Sequence, residues 1–308
     1  MNKFSIAQMV CKYLPPILSQ IVRTKIISTE EGERLSLSFK RKAFTGGFFI
    51  GNTDDFHALK FGVHGFFDWR NIILINEILR YQKGDIIEVG ANIGTETVSL
   101  ADIAKINSVN VIAFEPVPKN CEFLFTLKRE NDFHNLRIIN KLVAEEKGIS
   151  FFNIPTGNNS GSGHICSENS KNKRESFEVT TLDSEFDKDR KCIAVLVDVE
   201  GFEYQVLQGG MNLIKKDKPF LIIEVNRNYL ENRGGISIEK LQLFLTSLDY
   251  IPFYIDKLGI HKVDITNFSV KKNKNWICIP KEKMHLKKKL SNSIFFNAFN
   301  PFMSHRII

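Results

Sequence analysis

The sequence is as informative for what it lacks as for what it contains. Its five cysteines, Cys11, Cys121, Cys166, Cys192 and Cys278, are scattered and odd in number, with no Cys-x-x-Cys pair among them. That excludes a disulfide framework and argues against a zinc site, so they are expected to be reduced core thiols of a cytosolic protein. No stretch approaches the roughly 18 apolar residues of a membrane span, and the first residues lack the apolar run of a secretory signal. Disorder is excluded over most of the length by 26 Phe and a hydrophobic share of 43%. The Gly-x-Gly-x-x-Gly spacing of a dinucleotide-binding loop is also missing at the place where a nucleotide loop would be sought.

What is present is an ordinary globular composition of 308 residues, 25% of them charged, with a formal net charge of +7. The length suits one large α/β domain with extensions. The positive balance is compatible with an acidic partner, nucleic acid or an anionic membrane, and it is concentrated near the C-terminus. Three zones follow from the pattern: a mixed N-terminal extension over 1–80, a principal domain over 81–282, and a basic then apolar tail over 283–308. In the first zone Val10, Tyr13, Leu14, Ile17, Leu18 and Ile21 recur at helical spacing, with Pro15 and Pro16 interrupting one helix or capping a second. This segment reads as an accessory helix or as a basic amphipathic segment resting on a membrane. In the tail, Lys281, Lys283, Lys287, Lys288 and Lys289 precede an Ile-Phe-Phe-Asn-Ala-Phe stretch. They form a solvated face or a weak attachment to anionic lipid.

From about Gly84 short apolar runs alternate with helical segments. Strands are expected over 85–89, 110–114, 136–143, 194–199, 220–225, 251–255 and 275–279, and helices over 94–105, 119–130, 203–214 and 238–248. Such alternation builds a parallel sheet covered by helices on both faces, with ligands beyond the carboxyl ends of the strands. Residues 153–176, rich in Gly, Ser and Asn, read as a surface loop that closes over a ligand or simply links two elements.

Chemistry-bearing residues lie just past strand ends. In Glu88-Val-Gly-Ala-Asn-Ile-Gly94 the glycines let the backbone turn tightly and approach a ligand, and the following helix aims free N–H groups into the same space. A carboxylate at Glu88 repels a pyrophosphate and attracts the ammonium and sulfonium charges of S-adenosylmethionine. Glu88, Gly90, Ala91, Asn92 and Gly94 are therefore expected to hold that methyl donor, with Glu115 and Pro116, about twenty residues on, at its ribose. Asp198, Glu200 and Glu203 crowd the next rim, where each raises the others' pKa, and Glu224 converges from the following strand. Glu203 is equally readable as a helix-dipole carboxylate. Asp198, Glu200 and Glu224 are the expected catalytic groups, as base, neighbour and anchor, with His164 an outside candidate. No metal is assigned, although a divalent ion on Asp198, Glu224 and Asn226 is the alternative to a side-chain base.

Taken in order, Glu88–Gly94, Phe114-Glu-Pro116, Val179-Thr-Thr-Leu-Asp183, Asp198-Val-Glu-Gly-Phe-Glu203, Val206-Leu-Gln-Gly-Gly210 and Pro219-Phe-Leu-Ile-Ile-Glu224 resemble the FkbM family of methyltransferases. Many members carry Asp where Glu88 stands, an exchange that keeps the charge. The resemblance implies the class I, Rossmann-like methyltransferase fold: a seven-stranded, mostly parallel sheet whose last strand is antiparallel. It further implies S-adenosylmethionine as cofactor and O-methylation of a sugar, glycolipid or surface-polysaccharide precursor. A cytoplasmic location follows, at most peripheral on the inner membrane face through the basic tail. Two rivals stand beside it: a nucleic-acid methyltransferase and a non-catalytic cofactor-fold binding subunit. Against the first, no Pro-Pro-aromatic segment stands where a base would stack, and nucleic acid is not an expected partner.

Overall fold

The computed structural model describes residues 1–155, 157–166, 174–265 and 274–305. The chain opens with helices α1 (Lys3–Cys11), α2 (Pro16–Ile26) and α3 (Thr29–Leu35). Each start is chemically marked: the Asn2 side chain accepts from Ser5 N, Pro16 occupies the first turn of α2, and Ser28 with Glu31 closes a reciprocal capping box. A two-stranded hairpin, β1 (Ser38–Lys42) and β2 (Phe48–Asn52), leads to α4 (Phe56–His64) and α5 (Trp69–Tyr81), capped by Asp55 and Asp68.

The principal sheet begins with β3 (Asp85–Val89), α6 (Thr97–Ile106), β4 (Val111–Phe114), α7 (Pro118–Glu130) and β5 (Leu136–Ile139). The expected strand over 136–143 is broken at Asn140, whose side-chain amide donates to the carbonyls of Glu115 and Pro116. Beyond that break the chain leaves for a smaller sheet of β6 (Leu142–Val143), β7 (Gly148–Asn153), β8 (His164–Cys166) and β9 (Arg174–Thr180). Within the expected surface loop, residues 153, 164–166 and 174–176 are strand, 154–155 and 157–163 are irregular, and 156 and 167–173 lie outside the described residues.

The chain returns through α8 (Leu182–Glu185), β10 (Cys192–Val197), α9 (Glu203–Gln208), α10 (Met211–Asp217), β11 (Phe220–Val225), α11 (Arg227–Asn232) and α12 (Ile238–Ser247). The single helix expected over 203–214 is two, because Gly209 passes so close to the Ala144 carbonyl that a Cβ would lie 2.0 Å from its oxygen. Last come β12 (Tyr250–Asp256), β13 (Gly259–Lys262), β14 (Lys274–Pro280) and, after a short 3-10 turn, α13 (Lys287–Ala298).

The sheet order is β13-β12-β14-β11-β10-β3-β4-β5. The run from β11 to β5 is parallel, and β14 runs antiparallel to both its neighbours. Eight strands replace the seven expected. The addition is edge strand β13, paired antiparallel to β12 through a tight turn in which Asp256 Oδ1 accepts from Leu258 N and Gly259 N.

Side chains alternate strictly between the two faces. Ile86, Ala113, Leu196 and Ile222 enter one core with α5, α6 and α13, while Ile87, Ile112, Val197 and Ile223 enter another with α9, α10 and α12. Burial on both faces is why these strands read as continuous apolar runs. The first core extends unbroken from Ala43 and Phe44 to Leu290, Ile294 and Met303, so both terminal zones share it with the sheet. Among the described residues no helix is long and apolar enough to cross a membrane.

Candidate active site

A cavity of about 1160 Å³ opens at the carboxyl ends of β3, β4, β10 and β11. This is the switch point of an open α/β sheet, and the volume is at the upper end for ligand sites, enough for two partners side by side.

One end is built on the glycine loop. Gly90 N and Ala91 N both donate to Phe114 O at 3.0 Å, and Asp198 N donates to Val89 O at 2.9 Å, which clamps β3 between its neighbours. Gly90 (φ 91°) leaves no room for a side chain, since a Cβ there would stand 1.9 Å from Asp198 O. Asn92 also takes a left-handed backbone (φ 50°), which Asn tolerates better than most residues. Its N–H donates to Glu115 Oε2 at 2.8 Å, while Glu115 Oε1 accepts from Val117 N and from the Asn120 amide. The expected ribose carboxylate thus also fixes the glycine loop. Burial pushes its pKa up to about 7.

Glu88, 5% exposed, accepts from the Thr97 hydroxyl at 2.7 Å. Burial, with the nearby charge of Glu115, raises its pKa to about 7. Glu96, which no sequence motif marks, joins this end. Both its oxygens accept from the Asn71 amide, and burial followed by the charges of Asp68 and Glu88 holds its carboxyl well above the usual range. Of the residues expected around the donor, Glu88, Gly90, Ala91, Asn92, Glu115 and Pro116 line the cavity. Gly94 does not; it lies behind the wall, where a Cβ would press on Leu124 and Leu127 of α7.

At the other end Asp198, Glu200 and Glu224 place one carboxylate oxygen each within 4.8 Å of the others. Asp198 is open to the cavity yet ringed by protein, and this loss of water, then the charge of Glu200, pushes its carboxyl up to about 8. Glu200, held in a left-handed conformation (φ 55°), pairs with Arg233 at 3.3 Å. It rises to about 7, through burial first and Glu224 second. Crowding therefore contributes as expected, but desolvation is the larger cause.

Three further residues singled out in the sequence do not line the cavity. Asn226 is one of them: its side-chain oxygen caps α11, accepting from Tyr229 N. Glu203 lies outside the cavity wall, 2% exposed, and accepts from Gly201 N at the start of α9. His164 is likewise outside, with Nδ1 against Ser162 O.

The N-terminal zone supplies a wall that no local motif announced. His57, Lys60, Asp68 and Asn71 face the cavity. The Lys60 ammonium lies 3.6 Å from the Phe56 ring centroid, and burial brings its pKa down to about 8. Asp55 binds this zone to the Gly-Ser loop: Oδ1 caps α4 at His57 N and Ala58 N, and Oδ2 accepts from Ser160 N. Phe56 N donates to Asn158 O, and Gly161 packs against the His57 ring and the Asn92 amide. The loop thereby lies against the glycine loop and α4.

The model of the methyltransferase FkbM domain matches residues 88–252, more than half of the chain. The protein belongs to the FkbM methyltransferase family. Its first and last matched residues span Glu88 through the start of β12, the stretch that carries Glu88, Glu96, Glu115, Asp198, Glu200 and Glu224. Among solved structures, an FkbM methyltransferase from Methylobacillus flagellatus KT is similar at 14% identity, covering 90% of this chain and 58% of that one, with a TM-score of 0.42. This FkbM chain therefore spans 58% of the length of that relative. The fibrillarin pre-rRNA processing protein of Methanococcus jannaschii is similar at 17% identity over 65% of this chain and 67% of that one, TM-score 0.38. An rRNA methylase from Streptococcus thermophilus is similar at 10% identity over 67% and 92%, TM-score 0.39. No curated protein matches the sequence.

Proposed function

We propose that this FkbM-family chain is an S-adenosylmethionine-dependent O-methyltransferase whose acceptor is a hydroxyl of a sugar, glycolipid or surface-polysaccharide precursor. The observation that carries this reading is the division of one cavity into two carboxylate ends, with Asp198 open to the space between them.

The first end fits the donor. Gly90 lets the loop pass directly against the Asp198 carbonyl at the cavity rim, and Glu115 Oε2 retains a lone pair beside its bond to Asn92 N. Glu88 and Glu115, both pushed to about 7, regain full charge beside a cation. Bound there, S-adenosylmethionine supplies a methyl group activated by its sulfonium charge.

At the second end Asp198 takes the proton of the acceptor hydroxyl, a contribution of ~10²–10⁴-fold. A carboxyl raised to about 8 is a far stronger base than an ordinary aspartate. Glu224 and Glu200 accept hydrogen bonds from neighbouring acceptor hydroxyls and hold the reacting one in place; positioning of this kind contributes on the order of 7–11 kcal/mol at best. Three carboxylates also disfavour a phosphate backbone, which speaks against a nucleic-acid acceptor.

The 4.8 Å grouping of Asp198, Glu200 and Glu224 favours one second reading, a divalent cation bound by all three. Asp198→Asn is expected to abolish methyl transfer while donor affinity stays within a few fold, and wild-type activity is expected to survive a chelator and to rise with pH to a plateau above about 8. A fully active Asp198→Asn refutes the base. Activity lost to chelation and restored by Mg²⁺ replaces it with the cation.

A further inference from the structure

Both terminal segments of this chain are free of acidic residues. Residues 1–29 carry Lys3, Lys12, Arg23 and Lys25, and residues 283–308 carry Lys283, Lys287, Lys288, Lys289 and Arg306. Together they hold nine of the 42 basic residues and none of the 35 acidic ones, so the whole positive excess resides in them and the rest of the chain is slightly acidic.

The fold brings the two segments into contact, because α2 packs on α13. Helix α13 buries Leu290, Ile294 and Ala298 and turns Lys288, Lys289, Phe295, Phe296 and Phe299 outward. Those three phenylalanines are 45%, 68% and 48% exposed, and Phe302, just past the helix, is 66% exposed. Phe295 lies edge-on to both Phe296 and Phe299, so they form one apolar cluster rather than isolated side chains. Surface Phe scattered singly needs no explanation, but a contiguous cluster beside an acid-free basic stretch does.

The same surface reaches the cavity. Leu18 and Ile21 of α2, about half exposed, line the cavity, and so does Leu258 in the turn between β12 and β13, a strand that α13 also covers. The mouth is therefore rimmed by exposed apolar side chains while its floor is carboxylate. A sugar freely dissolved in water gains nothing from such a rim. An acceptor with a polar head and a hydrocarbon tail gains from both parts.

We propose that α2 and α13 seat this chain on an anionic lipid bilayer, and that the acceptor enters the cavity from that bilayer as a hydroxyl compound carrying a lipid chain. Phenylalanines at the C-terminal half of α13 enter the acyl boundary, and Lys288 and Lys289 at its first turn meet anionic headgroups. The acceptor half of this inference rests on the proposed transferase reading; the bilayer half stands without it.

The test is sedimentation of the full chain with vesicles of phosphatidylcholine alone and of phosphatidylcholine with phosphatidylserine, beside a calorimetric titration with S-adenosylmethionine. The wild type is expected to bind the anionic vesicles in a salt-sensitive way and the neutral ones weakly. Phe295→Ser with Phe299→Ser should weaken binding by about tenfold or more, and Lys288→Glu with Lys289→Glu by about tenfold. Both variants should keep the wild-type affinity for S-adenosylmethionine, which also shows that they fold. Dodecyl β-glucoside below its micellar concentration should bind at least about tenfold more tightly than methyl β-glucoside, since each buried CH₂ contributes. Absence of vesicle binding by the wild type, or variants that bind vesicles equally well, overturns the bilayer seat. So does a wild-type dimer in analytical ultracentrifugation that the Phe variants dissolve. Equal affinity for the two glucosides overturns the lipid-linked acceptor. Vesicle binding without any donor binding would instead remove the transferase reading and leave the bilayer seat standing.

Discussion

Replacing Glu88 by Gln should make the protein more stable at alkaline pH and worse at holding its donor. Glu88 is 5% exposed, and its carboxylate accepts from Thr97. Burial raises its pKa from an ordinary 4.5 to about 7 in the folded chain. The folded state thus holds this proton more firmly than the unfolded one. The group's contribution to stability is complete below about pH 4.5 and is lost as pH climbs through about 7. The interval from 4.5 to about 7, at about 1.36 kcal/mol per pH unit, amounts to on the order of 3 kcal/mol by pH 8. Gln keeps the volume and an oxygen for the Thr97 hydroxyl but carries no charge to desolvate. The variant should therefore match the wild type near pH 4.5 and exceed it at pH 8 by up to that amount. Urea unfolding of the ligand-free protein at the two pH values measures this. The same substitution removes a counter-charge for a cationic donor, so affinity for S-adenosylmethionine should fall by about tenfold or more at pH 8. A variant less stable than wild type at pH 8, or a gain equal at both pH values, would refute the argument.

Two further substitutions probe the frame of the site. Gly90→Ala should destabilise the chain by several kcal/mol and abolish donor binding, because its Cβ would stand 1.9 Å from Asp198 O at a φ of 91°; thermal melting and calorimetry read both effects. Asp55→Ala removes the cap of α4 and the acceptor for Ser160 N, so stability should drop by about 1 kcal/mol and donor dissociation in stopped-flow should accelerate. An unchanged dissociation rate would show that the Gly-Ser loop does not gate the donor.

Local patterns carried most of the sheet. Strands β3 and β11 stand where their apolar runs place them, and the carboxylates at the carboxyl ends of β3, β4 and β10 line one cavity because parallel strands end on the same side. The errors arose where a distant contact overrules the local signal. Asn140 cuts an apolar run by bonding to the Glu115 and Pro116 carbonyls, and Gly209 breaks a helix to pass Ala144. Edge strand β13 is short and polar, with His261 and Lys262 giving no β-rich run to notice. The wall formed by His57, Lys60 and Asn71 depends on how α4 and α5 dock on the sheet, which no motif encodes. Glu96 carries no local signal because its partner, Asn71, comes from across that same interface.

The central claim is that the cavity beside Gly90 holds S-adenosylmethionine, and isothermal titration of the purified chain tests it most directly. The account predicts one donor bound per chain, with affinity falling as pH drops below about 7 while Glu88 and Glu115 take up protons, and falling sharply in Glu115→Ala, which also frees Asn92 N. A folded sample that gives no heat with S-adenosylmethionine, or a Glu115→Ala variant that binds as tightly as the wild type, would contradict it.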